Sequence, residues 1–409
     1  MSKSAAIAKA PRIHYVFMKF PVPSETFARV ELRGLREAGC TVSVSTLRWP
    51  TLKKMALLRE HKLEDIHVSY PGPLKWIRSV VSVAKSPILI WKICGMVFPS
   101  LAGRWKEMVF CSLLLPRALS IALEIRSRGV DHVHLFWGHY PSLVGLFLRE
   151  IDSECSVSMS LGAYDLVRQS PISRILGRRA PVLTQARVNV GPISEFVDIS
   201  RDEVNVVYRG IEVTDITGSG KRDAIPCVVI AERLVPDKRT IDALRAFACT
   251  LKSVPGAELS VLGDGPSRSG LEAWVRREGL GNSVRFLGHV SHKTAQDVMA
   301  RSQVALSMTQ NPGERLPNAV KEAMSKECAV IVASSPGIEE LVEHGVNGYI
   351  VEPADCDEAA RRLVELLKDN QKAMRLGQNG RRRVLSRFDI AVTTRKRLAV
   401  WFPSEKKIR

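Results

Sequence analysis

Short apolar runs alternate with segments of helical periodicity throughout the second half of the chain, and this alternation restricts the fold more than any other feature. Helical spacing of apolar residues follows each run, including the segment 337–345 after the fifth run. Repeated strand–helix units predict a parallel sheet with helices on both faces. We therefore expect a doubly wound, Rossmann-like α/β domain over residues 206–388. The six runs begin near residues 227, 257, 283, 303, 329 and 348.

The first half carries the same rhythm with an irregular interruption. An apolar run begins at Arg12, and a helical segment and a second apolar run follow it, which is typical of a βαβ unit. The interruption, about residues 75–123, predicts two or three amphipathic helices. We expect a second Rossmann-like domain over residues 1–205, facing the other across a cleft. Further strands are predicted at four places: 131–138, 156–165, near 188–190 and near 204–208.

Turn-forming residues and the end of the chain complete this organisation. The stretch 213–226 is rich in Gly, Ser and Asp and predicts a linker between the domains. Residues 389–409 predict a helix and a basic tail, and we expect the helix to cross back to the first domain. Ligands of doubly wound sheets bind beyond the carboxyl ends of the strands, so the chemistry is expected on loops that follow strands.

Composition places the chain among ordinary globular proteins. Of its 409 residues, 45% are apolar and 25% are charged. We expect no membrane-spanning helix, because charged residues interrupt the most apolar region, 88–123. The N-terminus lacks the apolar stretch of a secretory signal, so a cytoplasmic location is expected. The eight cysteines form no CxxC pair, which argues against a zinc site and a disulfide framework.

Positive charge is concentrated in the first domain. Residues 1–130 hold 21 Lys and Arg against 8 Asp and Glu, and the whole chain has a net charge of +18. Such a field attracts nucleic acid, an anionic membrane surface or phosphorylated substrates. Nucleic acid is not the expected partner, because no aromatic-rich basic motif or helix-turn-helix is present. The tryptophan-bearing helices of 75–123 suit either a membrane surface or a packed core.

Two cations follow the first strand of the second domain. Arg233 and Lys238 lie in a loop that opens a helix, and the N-terminus of a helix already favours an anion. Together they suit a diphosphate, although each on its own is compatible with an ordinary solvated charge. The next two loops contain Gly263, in the sequence GDGP, and Gly288 with His289, in the sequence FLGHV. Glycines there allow either a close approach to a ligand or only a tight turn.

Two carboxylates lie eight residues apart after the fourth strand. Glu314 is in a loop rich in Pro and Gly, and Glu322 is on the helix that begins near Leu316 and Pro317. Carboxylates accept hydrogen bonds from vicinal hydroxyls, so Glu322 suits a ribose and Glu314 suits a sugar. Backbone N–H groups at the start of this helix, including that of Asn318, can meet a phosphate or sugar oxygen.

Taken together, these motifs resemble a known family. The pattern E-x-L-P-N-x-x-x-E-A-M begins at Glu314, and P-G-I-x-E-L-V-x-x-G-x-N-G-x-x-V follows it. Both are similar to retaining glycosyltransferases of the GT-B fold, family 4, also called glycosyl transferases group 1. The segments FPVPSETFARVEL (20–32) and DHVHLFWGHYPS (131–142) resemble the exopolysaccharide and colanic-acid branch. The resemblance is weakest over residues 50–125.

The resemblance implies a nucleoside diphosphate sugar as donor and no metal cofactor. Arg233 and Lys238 would hold the diphosphate, and the loop around Gly288 and His289 would lie against the base. Glu314 would contact the donor sugar, with Glu322 on the ribose. Further donor contacts are implied for Gly263, Leu316, Pro317 and Asn318. If the basic charge and the tryptophan-bearing helices of the first domain lie on anionic lipid, the expected acceptor is a lipid-linked glycan or an oligosaccharide on the inner face of the plasma membrane.

The sequence departs from the family in the first domain. A glycine-rich loop after the first strand is replaced by residues 20–24, so Ser24, Glu25 and Thr26 are candidates for the cleft. The family's T-x-H-x-x-D stretch is Ser160 to Asp165 here, with Gly162 at the histidine position and Asp165 retained as a candidate catalytic residue. The same stretch also adds Tyr164 to the candidate cleft residues. Replacement of the lost side chain by a nearby histidine is one alternative, with three candidates: His132, His134 and His139.

Three departures lie in the second domain. Arg315 replaces the glycine after Glu314, Glu232 replaces the glycine before Arg233, and residues 325–329 replace a glycine-containing helix end. The expected function is a retaining glycosyltransferase that moves a hexose-type sugar onto a glycan acceptor in surface polysaccharide synthesis. The alternatives are a degenerate GT-B protein, which binds a nucleotide sugar or serves as a partner subunit, and an epimerase of nucleotide sugars.

Overall fold

The structure is a computed structural model, and it describes residues 10–22, 25–52, 54–60, 62–151, 154–214, 225–311 and 313–403. The chain divides into two compact units. Unit 1 comprises Met1–Gly210 and Thr393–Arg409, and unit 2 comprises Ile211–Val392. The sequence placed the boundaries at residues 205/206 and 388/389, a few residues earlier in both cases. Most of the expected linker and the basic tail lie outside the described residues.

Unit 1 is built on a parallel sheet of seven strands in the order β3-β2-β1-β4-β5-β6-β7. Five of the six residues of β1 and all four of β4 are buried, as expected for strands that helices cover on both faces. A strand expected near 188–190 is instead a short 3-10 turn, Arg187–Asn189, and the sixth strand lies earlier. The strands are β1 (Arg12–Phe17), β2 (Thr41–Thr46), β3 (His67–Ser69), β4 (His132–Leu135), β5 (Ser156–Ser160), β6 (Val182–Thr184) and β7 (Val204–Val206).

Nine helices accompany these strands among the described residues before Gly210. The expected amphipathic stretch forms three of them. The buried apolar residues of the second and third join a core cluster of unit 1, whereas the first buries only Ser79. The helices are α1 (Thr26–Glu37), α2 (Lys54–Glu60), α3 (Pro73–Ala84), α4 (Pro87–Val97), α5 (Trp105–Arg128), α6 (Ser142–Glu150), α7 (Ala163–Arg168), α8 (Pro171–Gly177) and α9 (Val190–Val197).

The expectation about membrane-spanning helices needs a correction at α5. This helix is apolar enough by length and composition to cross a membrane, and 44% of its most apolar window is buried inside the protein. The sequence argument looked for a run without charged residues, whereas the most apolar stretch of α5 contains two of them. One of them, Arg117, is 4% exposed and donates hydrogen bonds to the backbone oxygens of Thr46 and Ser69. That part of α5 therefore packs on the sheet.

Unit 2 contains a parallel sheet of six strands in the order β10-β9-β8-β11-β12-β13. This arrangement corresponds to the order 3-2-1-4-5-6, which is typical of dinucleotide-binding sheets. All six strands expected from the sequence are present. They are β8 (Cys227–Ala231), β9 (Glu258–Leu262), β10 (Val284–Gly288), β11 (Val304–Ser307), β12 (Ala329–Ala333) and β13 (Tyr349–Val351).

The helices of unit 2 follow the predicted alternation with one exception. The segment 337–345, expected to be helical, contains only a 3-10 turn, Ile338–Glu340. Three buried apolar residues in this segment account for its helix-like spacing: Ile338, Leu341 and Val342. The helices are α10 (Thr240–Leu251), α11 (Arg268–Arg277), α12 (His292–Arg301), α13 (Asn318–Ser325), α14 (Cys356–Lys368) and α15 (Asn370–Arg387).

The final helix, α16 (Ile390–Trp401), begins in unit 2 and ends in unit 1, as the sequence predicted. Arg397 forms an ion pair with Glu31 of α1, with 2.8 Å between Nη2 and Oε2. Trp401 stacks on the His132 ring at a centroid distance of 4.5 Å. The C-terminal part of α16 is therefore packed in unit 1.

Candidate functional site

The loops after β8 and β11 meet at the carboxyl edge of the second sheet. The strand order reverses between these two strands, which is where ligands of doubly wound sheets bind. The loops are joined directly, because the Gln310 N–H donates to the Asp237 backbone oxygen at 3.0 Å and Arg239 Nη1 donates to Gln310 Oε1 at 2.9 Å. Residues far apart in sequence therefore share one site here.

Lys238 and Glu314 form an ion pair at this junction. Lys238 ends a short 3-10 turn, Pro236–Lys238, and only 7% of it is exposed. Arg239 follows with a positive φ of 52°, which turns the chain into α10. Glu314 is half-buried, and its loop is held by a hydrogen bond from its own N–H to the backbone oxygen of Asn311 at 3.0 Å. The structure thus brings together one residue expected at the diphosphate and one expected at the sugar.

Glu232 adds a second carboxyl group to the surroundings of Lys238. Burial raises the pKa of Glu232 to about 7, and the negative charge of Glu314 acts in the same direction. The Lys238 ammonium and a hydrogen bond from Thr240 Oγ1, at 2.8 Å, oppose this increase in pKa. Close to neutral pH, Glu232 can therefore be either a hydrogen-bond donor or a negative charge. Its neighbour Arg233 is exposed to solvent.

The GDGP loop needs its two glycines because its backbone lies too close to the backbone after β8 to leave room for a side chain. A Cβ atom on Gly263 would lie 1.8 Å from the backbone oxygen of Glu232, and one on Gly265 would lie 2.4 Å from that of Leu234. Both glycines have positive φ, 128° and 158°. The loop after β9 thus lies directly against the backbone of residues 232–234, the segment that includes Glu232 and Arg233. The protein's own backbone accounts for both glycines, whether or not a ligand approaches them.

The loop after β10 is hydrogen-bonded to the loop after β9. The Gly263 N–H donates to the Gly288 backbone oxygen at 2.8 Å, and Gly288 has a φ of 68°. A Cβ atom there would lie 2.9 Å from Arg268 Nη1. His289, the next residue, is exposed at this edge. These two residues therefore border the same set of loops, and their contact with a base stays a prediction.

The start of α13 contributes buried and polar groups. Leu316 and Pro317 are buried, and α13 itself begins one residue later, at Asn318. The side chain of Asn318 accepts a hydrogen bond from Lys321 Nζ at 3.1 Å. Glu322 Oε1 lies 3.8 Å from His292 Nε2 on α12. The ribose contact expected for Glu322 remains a prediction, as do the other donor contacts. Arg315, which replaces the family's glycine, is half-buried, and burial lowers the pKa of its guanidinium.

Asp165 has a structural task in unit 1. Its carboxyl group accepts hydrogen bonds from the N–H groups of Gly138, at 3.1 Å, and Gly162, at 2.8 Å. It thereby joins the loop after β4 to the start of α7. Burial raises the pKa of Asp165 to about 6, although these two N–H groups favour the charged form. Both carboxyl oxygens are engaged by the backbone, which limits what this group offers to a substrate.

The space beside Gly162 is filled by neighbouring side chains. A Cβ atom on Gly162 would lie 2.5 Å from Gln185 Nε2 and 3.0 Å from Cζ3 of Trp137. Gln185 follows β6 and Trp137 follows β4, so the strands on either side of β5 supply the side chains that occupy this position. A histidine at residue 162 would need both to move.

His132 and His134 belong to the core. His132 lies between the hydroxyls of Ser156 and Ser158, at 2.6 and 2.8 Å, and His134 lies between those of Ser158 and Ser160, at 2.8 and 2.9 Å. Both rings are fully buried, and burial lowers the pKa of His132 to about 3. These two histidines are therefore neutral members of a hydrogen-bonded ladder, and they do not supply the missing side chain.

His139 remains close to the retained carboxylate. Its Nδ1 lies 4.0 Å from Asp165 Oδ1, and its backbone N–H donates to Ser173 Oγ at 2.5 Å. Burial and the nearby Arg168 lower the pKa of His139 to about 3, so the ring is neutral. The backbone of His139 has a positive φ of 40°, and that of Trp137 has a φ of 81°. Such backbone conformations are uncommon for residues other than glycine and often mark functional loops.

The remaining first-domain candidates have different surroundings. Glu25 accepts a hydrogen bond from Trp137 Nε1 at 3.2 Å, and burial raises the pKa of its carboxyl group. Thr26 begins α1 and is exposed, and 59% of Tyr164 is exposed. Ser24 lies outside the described residues. The cleft roles of these four residues stay predictions.

Sequence reasoning missed Arg209 and Arg397. The Arg209 guanidinium lies over the rings of Phe27 and Trp137, with its carbon 3.8 and 4.7 Å from their centroids. It lines a pocket with Arg397 and Glu31, which come from opposite ends of the chain. No motif marks these residues, and the only local signal was the position of Arg209 directly after a strand.

The described part of the chain holds no group of three or more His, Cys, Asp or Glu side chains placed to bind a metal ion. The described cysteines are all free thiols.

Comparisons with known proteins identify a class for unit 2. Residues 214–383 match the family model of glycosyl transferases group 1. A curated relative, an exopolysaccharide phosphotransferase of Streptomyces coelicolor, is 35% identical over 35% of this chain and 15% of its own length. A GDP-mannose-dependent phosphatidylinositol monomannoside mannosyltransferase of Mycobacterium tuberculosis is 30% identical over 40% of this chain and 44% of its own length. The chain thus spans less than half the length of these relatives.

Solved structures extend the likeness to both units. A glycosyltransferase from Rickettsia africae has a TM-score of 0.71 at 14% identity, covering 96% of this chain and 98% of its own. HepE of Anabaena, solved with UDP, has a TM-score of 0.69 at 18% identity, covering 95% and 99%. The fold class expected from the sequence, α/β with two Rossmann-like domains as in GT-B proteins, is confirmed. The family match over residues 214–383 and the named relatives show a likeness of this part of the chain to glycosyl transferases group 1.

Proposed function

We propose that this chain is a retaining glycosyltransferase of family 4 that uses a nucleoside diphosphate sugar as donor. The observation that carries the proposal is the cluster of Lys238, Glu314 and Glu232 at the strand-order reversal of unit 2. It lies inside the segment that matches the family model. HepE, which shares the fold, binds UDP and UDP-glucose. The donor is therefore proposed to lie over the loops after β8, β9, β10 and β11.

The proposed roles follow from the charges of these side chains. Lys238 donates hydrogen bonds to the diphosphate and neutralises the charge that develops as this group leaves. Arg233, exposed beside it, adds a second cation. Glu314 moves from its ion pair with Lys238 to the hydroxyls of the donor sugar, and Glu322 accepts hydrogen bonds from the ribose. No metal is needed for these steps, so we propose turnover without one.

Substitution of the two carboxylates tests these roles. In Glu314→Gln, donor turnover is expected to fall by about 100-fold, because a charge that contacts the reacting sugar is removed. Glu322→Gln is expected mainly to raise KM for the donor, because the ribose does not react. The measurement is release of UDP or GDP from a panel of nucleotide sugars, with and without EDTA.

The matched control is Glu278→Gln, which removes an exposed carboxylate of unit 2 outside the site. Turnover that survives in Glu314→Gln at the wild-type rate would contradict the assigned role. Loss of turnover with EDTA would contradict metal-free transfer.

We further propose a lipid-linked glycan acceptor in surface polysaccharide synthesis, in the exopolysaccharide and colanic-acid branch. Relatives named for exopolysaccharide, poly(glycerol-phosphate) and phosphatidylinositol mannoside chemistry support this class of acceptor. An acceptor of this kind is reached at the cytoplasmic face of the plasma membrane. The chain is then a cytoplasmic protein that docks reversibly on anionic lipid.

Three consecutive helices of unit 1 support docking on a membrane surface. α3, α4 and the start of α5 expose tryptophans, with Trp91 79%, Trp105 67% and Trp76 57% exposed. Residues 73–113 hold six Lys and Arg but only one acidic residue, Glu107. The opposite sides of α4 and α5 are buried in the core. Indole rings and cations together suit the interface of an anionic bilayer.

Vesicle flotation tests this docking. The wild-type protein is expected to float with vesicles containing 30% anionic lipid at low salt, and to bind several-fold less at 0.5 M salt because the charges are screened. A Trp76→Ala, Trp91→Ala double variant is expected to bind about tenfold less. Leu385→Ala, which truncates an exposed apolar residue of α15, is the control. Equal binding to neutral vesicles, or full binding by the double variant, would contradict the proposal.

One observation favours a second candidate, a GT-B protein with altered or lost catalysis. The side-chain space at Gly162 is filled by Gln185 and Trp137, and the two ladder histidines are buried in the core. Such a protein would bind the nucleotide sugar without turning it over. Binding without release of UDP or GDP, with every acceptor tested, distinguishes it from the enzyme.

A further inference from the structure

Unit 1 contains a pocket that the proposed donor site does not use. It lies at the carboxyl edge of the sheet, among residues that end or follow β4, β5, β6 and β7. Its enclosed space is about 10 Å³, which is room for one group the size of a water molecule or a phosphate oxygen, and the open space at its mouth brings the total to about 310 Å³. The polar side chains of the lining come from Glu31, Ser160, Thr184, Gln185, Arg209 and Arg397. This edge is where ligands of parallel α/β sheets bind.

Arg397 is a buried cation with unused donors. It is 3% exposed, and its Nη2 pairs with Glu31 Oε2 at 2.8 Å. Its Nε and Nη1 are buried and have no hydrogen-bond partner in the part of the chain that the structure describes. Unpaired donors on a buried guanidinium cost free energy, so a bound group that accepts hydrogen bonds would stabilise this arrangement.

The carboxylate beside Arg397 is already engaged on both oxygens. Glu31 Oε1 accepts the hydroxyl of Tyr15 at 2.6 Å, and Oε2 accepts Arg397. Arg209, which also lines the pocket, is stacked on Phe27 and Trp137. Burial lowers the pKa of Arg209 to about 10, so it stays charged at neutral pH. The lining contains two guanidinium groups and one carboxylate, and two further carboxylates, those of Glu25 and Asp165, act on Arg209 from nearby. The unpartnered donors of Arg397 are what the pocket offers to a hydrogen-bond acceptor.

We propose that this pocket binds a phosphate group of the acceptor substrate. Guanidinium groups recognise phosphate through paired hydrogen bonds, and the net positive lining suits an oxyanion better than a neutral sugar. The hydroxyl of Thr184 and the amide of Gln185 can donate further hydrogen bonds at the same edge, whereas the Ser160 hydroxyl is already paired with His134. The inference rests on the proposed function in one respect, that unit 1 receives the acceptor. The phosphate belongs either to a lipid phosphate or to a soluble sugar phosphate.

Titration with inorganic phosphate tests the pocket directly. All proteins carry Lys238→Ala, so that the donor site of unit 2 does not contribute. Arg397→Gln is expected to weaken phosphate binding by at least about fivefold, because it removes a charge-assisted donor. Lys396→Gln removes an exposed cation from the neighbouring position on α16 and is expected to leave binding within about twofold. Equal affinity in these two variants would overturn the proposal.

A second variant distinguishes a loss of phosphate binding from a loss of folding. Arg397→Gln leaves Glu31 buried without its partner, so the double variant Arg397→Gln, Glu31→Gln removes the ion pair as a whole. Its near-UV circular dichroism is compared with that of the wild type before titration. A folded double variant that retains wild-type phosphate affinity would overturn the proposal as surely as the single variant.

Three probes identify the source of the phosphate. Citronellyl phosphate represents a lipid phosphate, glucose 1-phosphate represents a soluble sugar phosphate, and glucose is the neutral control. Tighter binding of either phosphate than of glucose supports the proposal and names the source, whereas preferential binding of glucose overturns it. UDP-glucose and GDP-mannose binding is measured separately with Lys238 intact. Arg397→Gln is expected to leave the binding of these nucleotide sugars unchanged. If neither nucleotide sugar binds the wild-type protein, the proposed function fails, but the proposal of a phosphate pocket is not affected.

Discussion

At the scale of single residues, the sequence anticipated side-chain contacts in unit 2 better than in unit 1. Lys238 and Glu314 are indicated by their loops after strands, by the order of the motifs and by the family resemblance, and the structure places them in contact. Gly162 was recognised as a departure, but its consequence depends on Gln185 and Trp137, which come from other strands. The fate of His132 and His134 depends on the serines of the adjacent strand. Contacts across strands are not encoded in any local pattern, so they could not be predicted.

Glu232 makes donor affinity dependent on pH. Burial holds the pKa of this carboxyl group at about 7, well above its ordinary value of 4.5. Below pH 7 it is protonated and can donate to the diphosphate, whereas above pH 7 it becomes an anion that repels it. Affinity for UDP-glucose or GDP-mannose is therefore expected to fall as pH rises through 7, by up to about tenfold between pH 6 and 8.5.

The comparison of two variants isolates this effect. Glu232→Gln cannot ionise, so its affinity is expected to stay flat over the same pH range when measured by calorimetry. Asp297→Asn, which changes an exposed carboxylate on α12, keeps the wild-type profile. A Glu232→Gln profile that falls like the wild type would assign the titration to another group.

At the scale of elements, the strands of unit 2 were predictable because buried parallel strands are continuous apolar runs between helices. The same reasoning failed for segment 337–345, where Ile338, Leu341 and Val342 are buried by a 3-10 turn. It also misplaced the sixth strand of unit 1, because β6 has only three residues, Val182–Thr184. Short segments hold too few residues to distinguish one periodicity from another. The close approach of the Gly263 loop to the loops after β8 and β10 could not be predicted either, since it depends on neighbouring strands.

The loop after β9 is expected to be intolerant of a side chain at Gly263. Gly263→Ala would place a Cβ atom against the Glu232 backbone oxygen and force an L-residue to a φ of 128°. We expect the free energy of unfolding to fall by about 2–3 kcal/mol in urea denaturation, with weaker donor binding.

Gly281→Ala is the matched control for Gly263→Ala, because a Cβ atom there meets nothing within 4 Å. It is expected to change stability by less than about 1 kcal/mol. Equal stability of the two variants would contradict the close approach described for Gly263.

At the scale of the whole molecule, two Rossmann-like units divide the work that the account assigns. Unit 2 has the strand order and loop cluster suited to a nucleotide sugar. Unit 1 holds most of the excess positive charge, the exposed tryptophans and the arginine-lined pocket. The first strand, β1, and the C-terminal part of α16 both belong to unit 1, and α16 supplies one of its two pocket arginines. The charge asymmetry could be predicted from composition, whereas the pocket could not, because its lining residues are far apart in the sequence.

Calorimetric titration of the full chain with UDP-glucose and GDP-mannose tests whether the loops of unit 2 bind a nucleotide sugar. Saturable binding of at least one of them is expected, at one site per chain. Binding is expected to weaken by about tenfold or more in Lys238→Ala and to remain in Lys252→Ala, which removes an exposed lysine at the end of α10. Failure of both nucleotide sugars to bind, or equal affinity in the two lysine variants, would contradict the proposed donor site.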